Sequence, residues 1–218
     1  DSHSVTDQTQ GNWNGIIGKM ELQAHQQQYI RNLQVYPDVK GKQIKVVMDV
    51  TGDARKADFL FDVSGVQHSF AKMKRGDDGK FAVIIPMGED IRLWDEFHPN
   101  LYTLTATLGK ESFSTTFGMS EISIEGRQFY MNGKKIWMRG TVGNCCFPET
   151  GYPPTDEASW LRIFRKCKEY GLNMMRFHSY CPPEAAFSAA DQMGIYLQPE
   201  GPSWPNHGVK LGNGMTID

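Results

Sequence analysis

The chain has 218 residues, enough for one large or two ordinary domains with cores of their own. With 39% apolar and 22% charged residues it reads as globular rather than disordered. A formal net charge of -2 excludes the basic footprint of a nucleic-acid binder, and no stretch approaches the roughly 18 to 20 consecutive apolar residues of a membrane-spanning helix.

The first residues, "DSHSVTDQTQGNWNG", have neither the basic start nor the apolar centre of a signal peptide. A polar start without an initiator Met reads as a processed protein or an excised fragment, and the expected compartment is periplasmic or extracellular. Residues 1 to about 120 are β in texture. In "KQIKVVMDV", Ile44, Val46, Met48 and Val50 alternate with polar positions, which sets one face in a core and the other in water. The same period returns through Phe59, Phe61 and Val63, through Phe81, Val83 and Ile85, and through Tyr102, Leu104, Ala106 and Leu108. Turn signals separate these runs: "PDVKGK", "TGDARK", "RGDDGK" and "PMGED". Short strands at this spacing, with no helical run among them, predict an immunoglobulin-like β-sandwich.

After residue 120 the texture changes. In "FYMNGKKIWMRG" the pair Asn132-Gly133 predicts a type I′ hairpin, and "KKIWMRG" is the expected first strand of a new unit. "PTDEASWLRIFRKCKEYG" predicts a helix with Thr155 or Asp156 as N-cap, Trp160, Phe164 and Cys167 on its apolar face, and Gly171 as its stop. Then come a short strand in "NMMRF", a second helix in "PEAAFSAADQMG" and a strand in "IYLQPEG". Strand alternating with helix is the pattern of a parallel α/β sheet. Three strands and two helices make less than half of an eight-stranded barrel, so the expectation is a truncated one.

The four cysteines are Cys145, Cys146, Cys167 and Cys181. They lack the paired ligand spacing of a zinc site, and Cys145 and Cys146 are adjacent, a poor geometry for shared tetrahedral ligation. Packed or free thiols are expected. Thiol redox chemistry has no C-x-x-C to support it.

Four separated segments resemble glycoside hydrolase family 2, the β-galactosidase, β-glucuronidase and β-mannosidase group. "NWNGIIGKMEL" (12–22) is similar to the last strand of the family's jelly roll, and "LWDEFHPNLYTL" (93–104) to its L-W-x-x-x-x-P-x-L-Y-x-L signature. "FGMSEISIEGRQFYMNGKKIWMRG" (117–140) is similar to the run entering the family's barrel, and "NMMRFHSY" with Asp191 and Gly194 to its N-x-x-R-x-S-H-Y…D-x-x-G stretch. The resemblance implies a jelly-roll strand within 1–24, an immunoglobulin-like sandwich over 25–120, and the first three β-strands and two helices of a (β/α)8 barrel over 121–218.

It also implies a β-galactosidase-like retaining glycosidase working on an oligosaccharide or polysaccharide. Such enzymes use two carboxyl groups about 5 to 5.5 Å apart. In the family both are glutamates on later barrel strands, one in an N-E pair that this sequence lacks, so this chain alone is expected to be inactive. The sugar contacts implied here are Asn144, Arg176, His178, Glu200, Trp204 and His207. Arg176 matches the arginine beside the nucleophile, where a cation keeps a carboxylate ionised. His178-Ser179 inverts the family's Ser-His order, and Glu200 matches the glutamate of its D-E-x-N segment. Trp204 is a candidate for stacking on a pyranose. His207-Gly208 resembles an H-G pair, but no cofactor is expected of this chain; a magnesium or sodium ion belongs to the longer protein, if anywhere. Where the family has x-N-x-H after R-G, this chain has Val142 and Asn144, and Asn144 can hydrogen-bond to a hydroxyl without titrating. The competing reading is a non-catalytic carbohydrate-binding or spacer sandwich, against which stands the lack of clustered exposed aromatics on the predicted strands.

Overall fold

A computed structural model of the chain describes residues 16–53, 55–178 and 180–201. The described residues fall into two compact units: one holds residues 16–20, Met138–Ala190 and 195–201, the other Glu21–Trp137 with Asp191–Gly194.

In the second unit seven strands form two antiparallel sheets. The first sheet runs β1-β2-β5, from β1 (Ile30–Asp38), β2 (Gln43–Val50) and β5 (Phe81–Pro86). The other runs β4-β3-β6-β7, from β3 (Lys56–Val63), β4 (Gln67–Lys74), β6 (Tyr102–Leu108) and β7 (Glu111–Phe117). Both sheets turn their alternating apolar positions into one core: Ile44, Val46 and Met48 of β2 and Phe59, Phe61 and Leu104 of the other sheet are fully buried. Phe59 meets Phe81 edge-on at 5.3 Å across this core. Each such phenyl ring contributes about 2 to 3 kcal/mol by leaving water. This is a two-layer β-sandwich, with the expected alternation in β2, β3, β5 and β6.

Three strands went unread. β1 is an edge strand whose register shifts between Ile30 and Asn32, which breaks its alternation, and it carries Pro37 one residue before its end. β4 and β7 carry mostly polar or small residues, so their periodicity shows weakly.

A third small sheet, order β10-β9-β8, follows from β8 (Ile122–Glu125), β9 (Gln128–Met131) and β10 (Lys134–Lys135). Met131 pairs with Lys134 across the two-residue turn Asn132-Gly133, both at positive φ (53° and 74°), as a type I′ turn demands. The Asn132 side chain has a second duty: its Oδ1 accepts from Glu121 N at 2.9 Å, and its Nδ2 donates to Trp94 O at 2.9 Å. The "LWDEFHP" loop is thereby tied to the hairpin. Within that loop the Asp95 carboxylate accepts from the backbone N–H groups of Phe97 and His98, and Tyr102 Oη accepts from Arg92 N at 2.7 Å. These motif residues are scaffold.

"KKIWMRG" was expected to be the first strand of the parallel unit, and it is not. Lys134 and Lys135 complete the hairpin, and the first parallel strand is β11 (Gly140–Gly143). The I′ turn returns the chain antiparallel onto β9 first, so a parallel strand can start only after the hairpin ends. Of the segment 12–22, read as a jelly-roll strand, residues 12–15 lie outside the described residues; residues 16–22 carry neither strand nor helix, and Ile16, Met20 and Leu22 are exposed. Among the described residues no neighbouring strand offers them a ladder.

In the first unit β11, β12 (Met174–Phe177) and β13 (Tyr196–Pro199) make a parallel sheet in that order. Helices α1 (Glu157–Glu169) and α2 (Glu184–Met193) alternate with them in the chain. Of the two expected caps, Asp156 is the one used, its Oδ1 accepting from Ser159 N at 2.8 Å. At the other end Gly171 (φ 74°) donates to Lys168 O and Leu172 to Cys167 O, a Schellman stop. Trp160 and Phe164 of α1 are buried, and Trp160 meets Phe177 of β12 edge-on at 5.8 Å.

Asn173, completely buried, precedes β12 and ties all three strands. Its Oδ1 accepts from Arg139 N at 2.7 Å, its N–H donates to Arg139 O at 2.9 Å, and its own carbonyl accepts from Tyr196 N at 2.8 Å. Asn173→Ala leaves the Arg139 N–H without its acceptor and is expected to cost about 1 to 3 kcal/mol. Urea denaturation followed by tryptophan fluorescence should show a lowered midpoint with an unchanged slope.

Candidate functional site

In a parallel sheet, residues in register point to the same side. The rows here are Gly140, Met174, Tyr196; Thr141, Met175, Leu197; Val142, Arg176, Gln198; and Gly143, Phe177, Pro199. Met175 and Phe177 point into the core with α1, so Arg176, between them, points to the opposite face. One step beyond the strand ends come Asn144, His178 and Glu200. The His178 N–H donates to Gly143 O at 2.9 Å and the Glu200 N–H to Tyr180 O at 3.2 Å, so the turns leaving the strands are fixed to one another.

Three of the expected contacts converge there. Arg176 Nε donates to Glu200 Oε1 at 2.5 Å. His178 Nδ1 lies 3.4 Å from Glu200 Oε2 and 3.4 Å from Arg176 Nη2. The side chains keep 40%, 38% and 27% of their exposure for Arg176, His178 and Glu200, so the cluster is open to solvent on one side and can meet a ligand. In that setting the ion pair is a positioning device more than a source of stability.

Asn144 is exposed and lines a different cleft of about 290 Å³, with Val142, Cys145, Cys146, Trp160 and Tyr180 among its walls. Arg176, His178 and Glu200 do not line it. Trp204 and His207, with Ser179, lie outside the described residues. Among the described residues no group of three or more His, Cys, Asp or Glu side chains is arranged to hold a metal ion.

Tyr180 was not singled out in the sequence, yet it joins these features: its carbonyl holds Glu200, its ring packs edge-on to Phe177 at 5.4 Å, and it walls the cleft. Burial, then the neighbouring Cys145 and Cys146, raise its phenol above the ordinary range. The one available signal was its place at the end of "NMMRFHSY".

All four cysteines are free thiols. Cys145 is buried at φ 54°, and desolvation, with a smaller contribution from Cys146, pushes its thiol up to about 11.

The family model described as "Glycosyl hydrolases family 2" matches residues 28–119. A β-galactosidase of Staphylococcus xylosus is 29% identical over 173 residues, 79% of this chain and 16% of that protein. A β-galactosidase of Thermoanaerobacterium thermosulfurigenes is 30% identical over 122 residues, 53% of this chain and 17% of that one. Among solved structures, a family 2 β-galacturonidase from Eisenbergiella tayi superposes with a TM-score of 0.68 at 18% identity, covering 82% of this chain and 33% of its own. A β-glucuronidase of Parabacteroides merdae gives 0.60 at 23%, covering 81% and 24%. The chain thus carries a glycoside hydrolase family 2 segment at residues 28–119. It spans about a sixth of the length of the two β-galactosidases it matches.

Because the thiolate is the nucleophile, Cys145 should resist alkylation near neutral pH while exposed Cys146 and Cys181 react. Peptide mapping after iodoacetamide treatment should show Cys145 labelling emerging only as the pH approaches 11.

Proposed function

We propose that the chain is part of a retaining glycosidase that cleaves β-linked glycosides, β-galactosidase-like in kind. On this reading residues 25–120 are an immunoglobulin-like sandwich, the parallel unit from Gly140 onward is the start of a (β/α)8 barrel, and the first residues belong to a jelly-roll domain. The two catalytic glutamates belong to barrel strands of a longer protein, and the substrate is an oligosaccharide or polysaccharide.

The observation that carries this is the extent of the similarity to the S. xylosus β-galactosidase. Its 173 matched residues exceed the span of the family model, so the match reaches beyond the sandwich into the parallel unit. The clustering of Arg176, His178 and Glu200 at the C-terminal ends of parallel strands supports it, because that is where barrel enzymes hold their ligands. In the proposed site Arg176 faces the nucleophile and His178 and Glu200 meet sugar hydroxyls, with Trp204 and His207 as further contacts; Asn144 meets the sugar only from its own cleft, apart from that cluster. The carbohydrate-binding sandwich reading is weaker. Among the described residues its exposed aromatics Tyr36, Phe70 and Phe97 lie on β1, on β4 of the other sheet and in the loop before β6, with no two on one strand.

The test is to express the longer reading frame that contains these residues and assay it on nitrophenyl β-galactoside, β-glucuronide and β-mannoside. Hydrolysis with retention of anomeric configuration is expected, and Arg176→Ala should lower kcat by about a hundredfold. Absence of β-glycoside hydrolysis, or inversion, would overturn the proposal.

A further inference from the structure

Asn144 sits between two anchored neighbours. On one side the Gly143 carbonyl accepts from the His178 N–H at 2.9 Å. On the other the Cys145 N–H donates to the Tyr180 hydroxyl. The hydroxyl oxygen lies 3.6 Å from the point where a Cβ on Gly143 would stand, and Tyr180 walls the same cleft as Gly143, Asn144 and Cys145, so the phenol is laid over this turn.

The turn needs holding for two reasons. Cys145 has φ 54°, in the left-handed region that a residue with a Cβ keeps only when its surroundings impose it. Cys145 is also buried, and a buried N–H without an acceptor is costly. The Tyr180 hydroxyl answers both, because it accepts from the N–H in the orientation that this φ gives it.

Tyr180 also reaches the other strand ends. Its place three residues past β12 is fixed by the ring, which packs edge-on against buried Phe177 at 5.4 Å. Its carbonyl accepts from Glu200 N, one step past β13, at 3.2 Å. The phenol therefore serves the turn after β11 and the backbone the turn after β13. The three parallel strands are tied at both ends, by Asn173 at their starts and by Tyr180 at their C-terminal ends.

We propose that Tyr180 is a positioning residue of the candidate site, whose hydroxyl fixes the turn bearing Asn144 while its carbonyl fixes Glu200. The two roles belong to different atoms, so substitution separates them. Tyr180→Phe keeps the ring on Phe177 and the carbonyl on Glu200, and removes only the acceptor for Cys145. Only the sugar hydroxyls that Asn144 and Glu200 meet rest on the glycosidase reading; the tie itself stands on these contacts.

The experiment follows amide hydrogen exchange by ¹⁵N NMR in the 218-residue chain and in Tyr180→Phe at one pH, with iodoacetamide labelling of Cys145 as a second readout. In the unaltered chain the Cys145 amide should be protected. In Tyr180→Phe its exchange should rise about fivefold, the loss of one hydrogen bond, and Cys145 labelling should quicken by a similar factor. The Asn173 and Glu200 amides should keep their protection, as should those of buried Ile44 and Phe59 in the sandwich. An unprotected Cys145 amide in the unaltered chain would overturn the proposal, as would an unchanged Cys145 rate in Tyr180→Phe. A rise spread evenly over β11, β12 and β13, up to unfolding of the variant, would overturn it too, because the hydroxyl would then serve overall stability and not this turn. No glycoside enters the experiment, so its failure leaves the hydrolase reading standing, and failure of hydrolysis leaves the tie standing.

Discussion

The geometry of the candidate site depends on one buried amide. Asn173 fixes the starts of β11 and β13 through Arg139 and Tyr196 while itself leading into β12. Parallel ladders have slanted hydrogen bonds and no hairpin to set their register, so something at the strand starts has to. A one-residue slip of β12 would turn Arg176 toward α1 and Phe177 toward the polar face, exchanging a buried ring for a buried cation. With the register fixed, Arg176 points away from the core, and His178 and Glu200 emerge beside it. A side chain at the bottom of the sheet thus decides what meets at the top.

The sandwich was legible wherever both sheets bury a regular face, as at Ile44, Val46 and Met48, because burial writes a period of two into the sequence. It was illegible where the strand lies at an edge or carries small polar residues, as in β1 and β7, because backbone pairing there makes no demand on side-chain hydropathy. The error over "KKIWMRG" has a related cause. A run of mixed apolar residues after a hairpin signal does not reveal which side of the turn it serves, and of that run β9 took only Lys134 and Lys135 as ladder partners. Asn132 was readable as a turn residue, but not as the link between the hairpin and the "LWDEFHP" loop, because the partner Trp94 lies 38 positions away.

For the site, the sequence with its family resemblance supplied the side chains and the strands that carry them. It could not supply their mutual geometry. That Arg176 takes Glu200 as its partner at 2.5 Å depends on the parallel register, a long-range property with no local pattern. Nor could it foresee that Asn144 lines a cleft apart from the Arg176 cluster. Residue spacing placed it one step past a strand, but the turn at Cys145, held at φ 54°, redirects the loop toward Trp160 and Tyr180. The adjacent cysteines were read as packed or free thiols on the grounds of spacing. Cys145 is buried and Cys146 exposed, and burial keeps the Cys145 thiol protonated at neutral pH.

The pairing of Arg176 also bears on how a retaining site could work around it. If a nucleophilic carboxylate stands beside Arg176 in the proposed enzyme, one guanidinium serves two carboxylates, and each reduces its hold on the other. Glu200 uses the Nε edge, which leaves the terminal amino groups to a second acceptor in the planar fork that guanidinium offers. His178 rests against both members of the pair, its Nδ1 3.4 Å from each. Because Glu200 pairs with Arg176 and also lies beside His178, a change at any one of the three alters the setting of the other two.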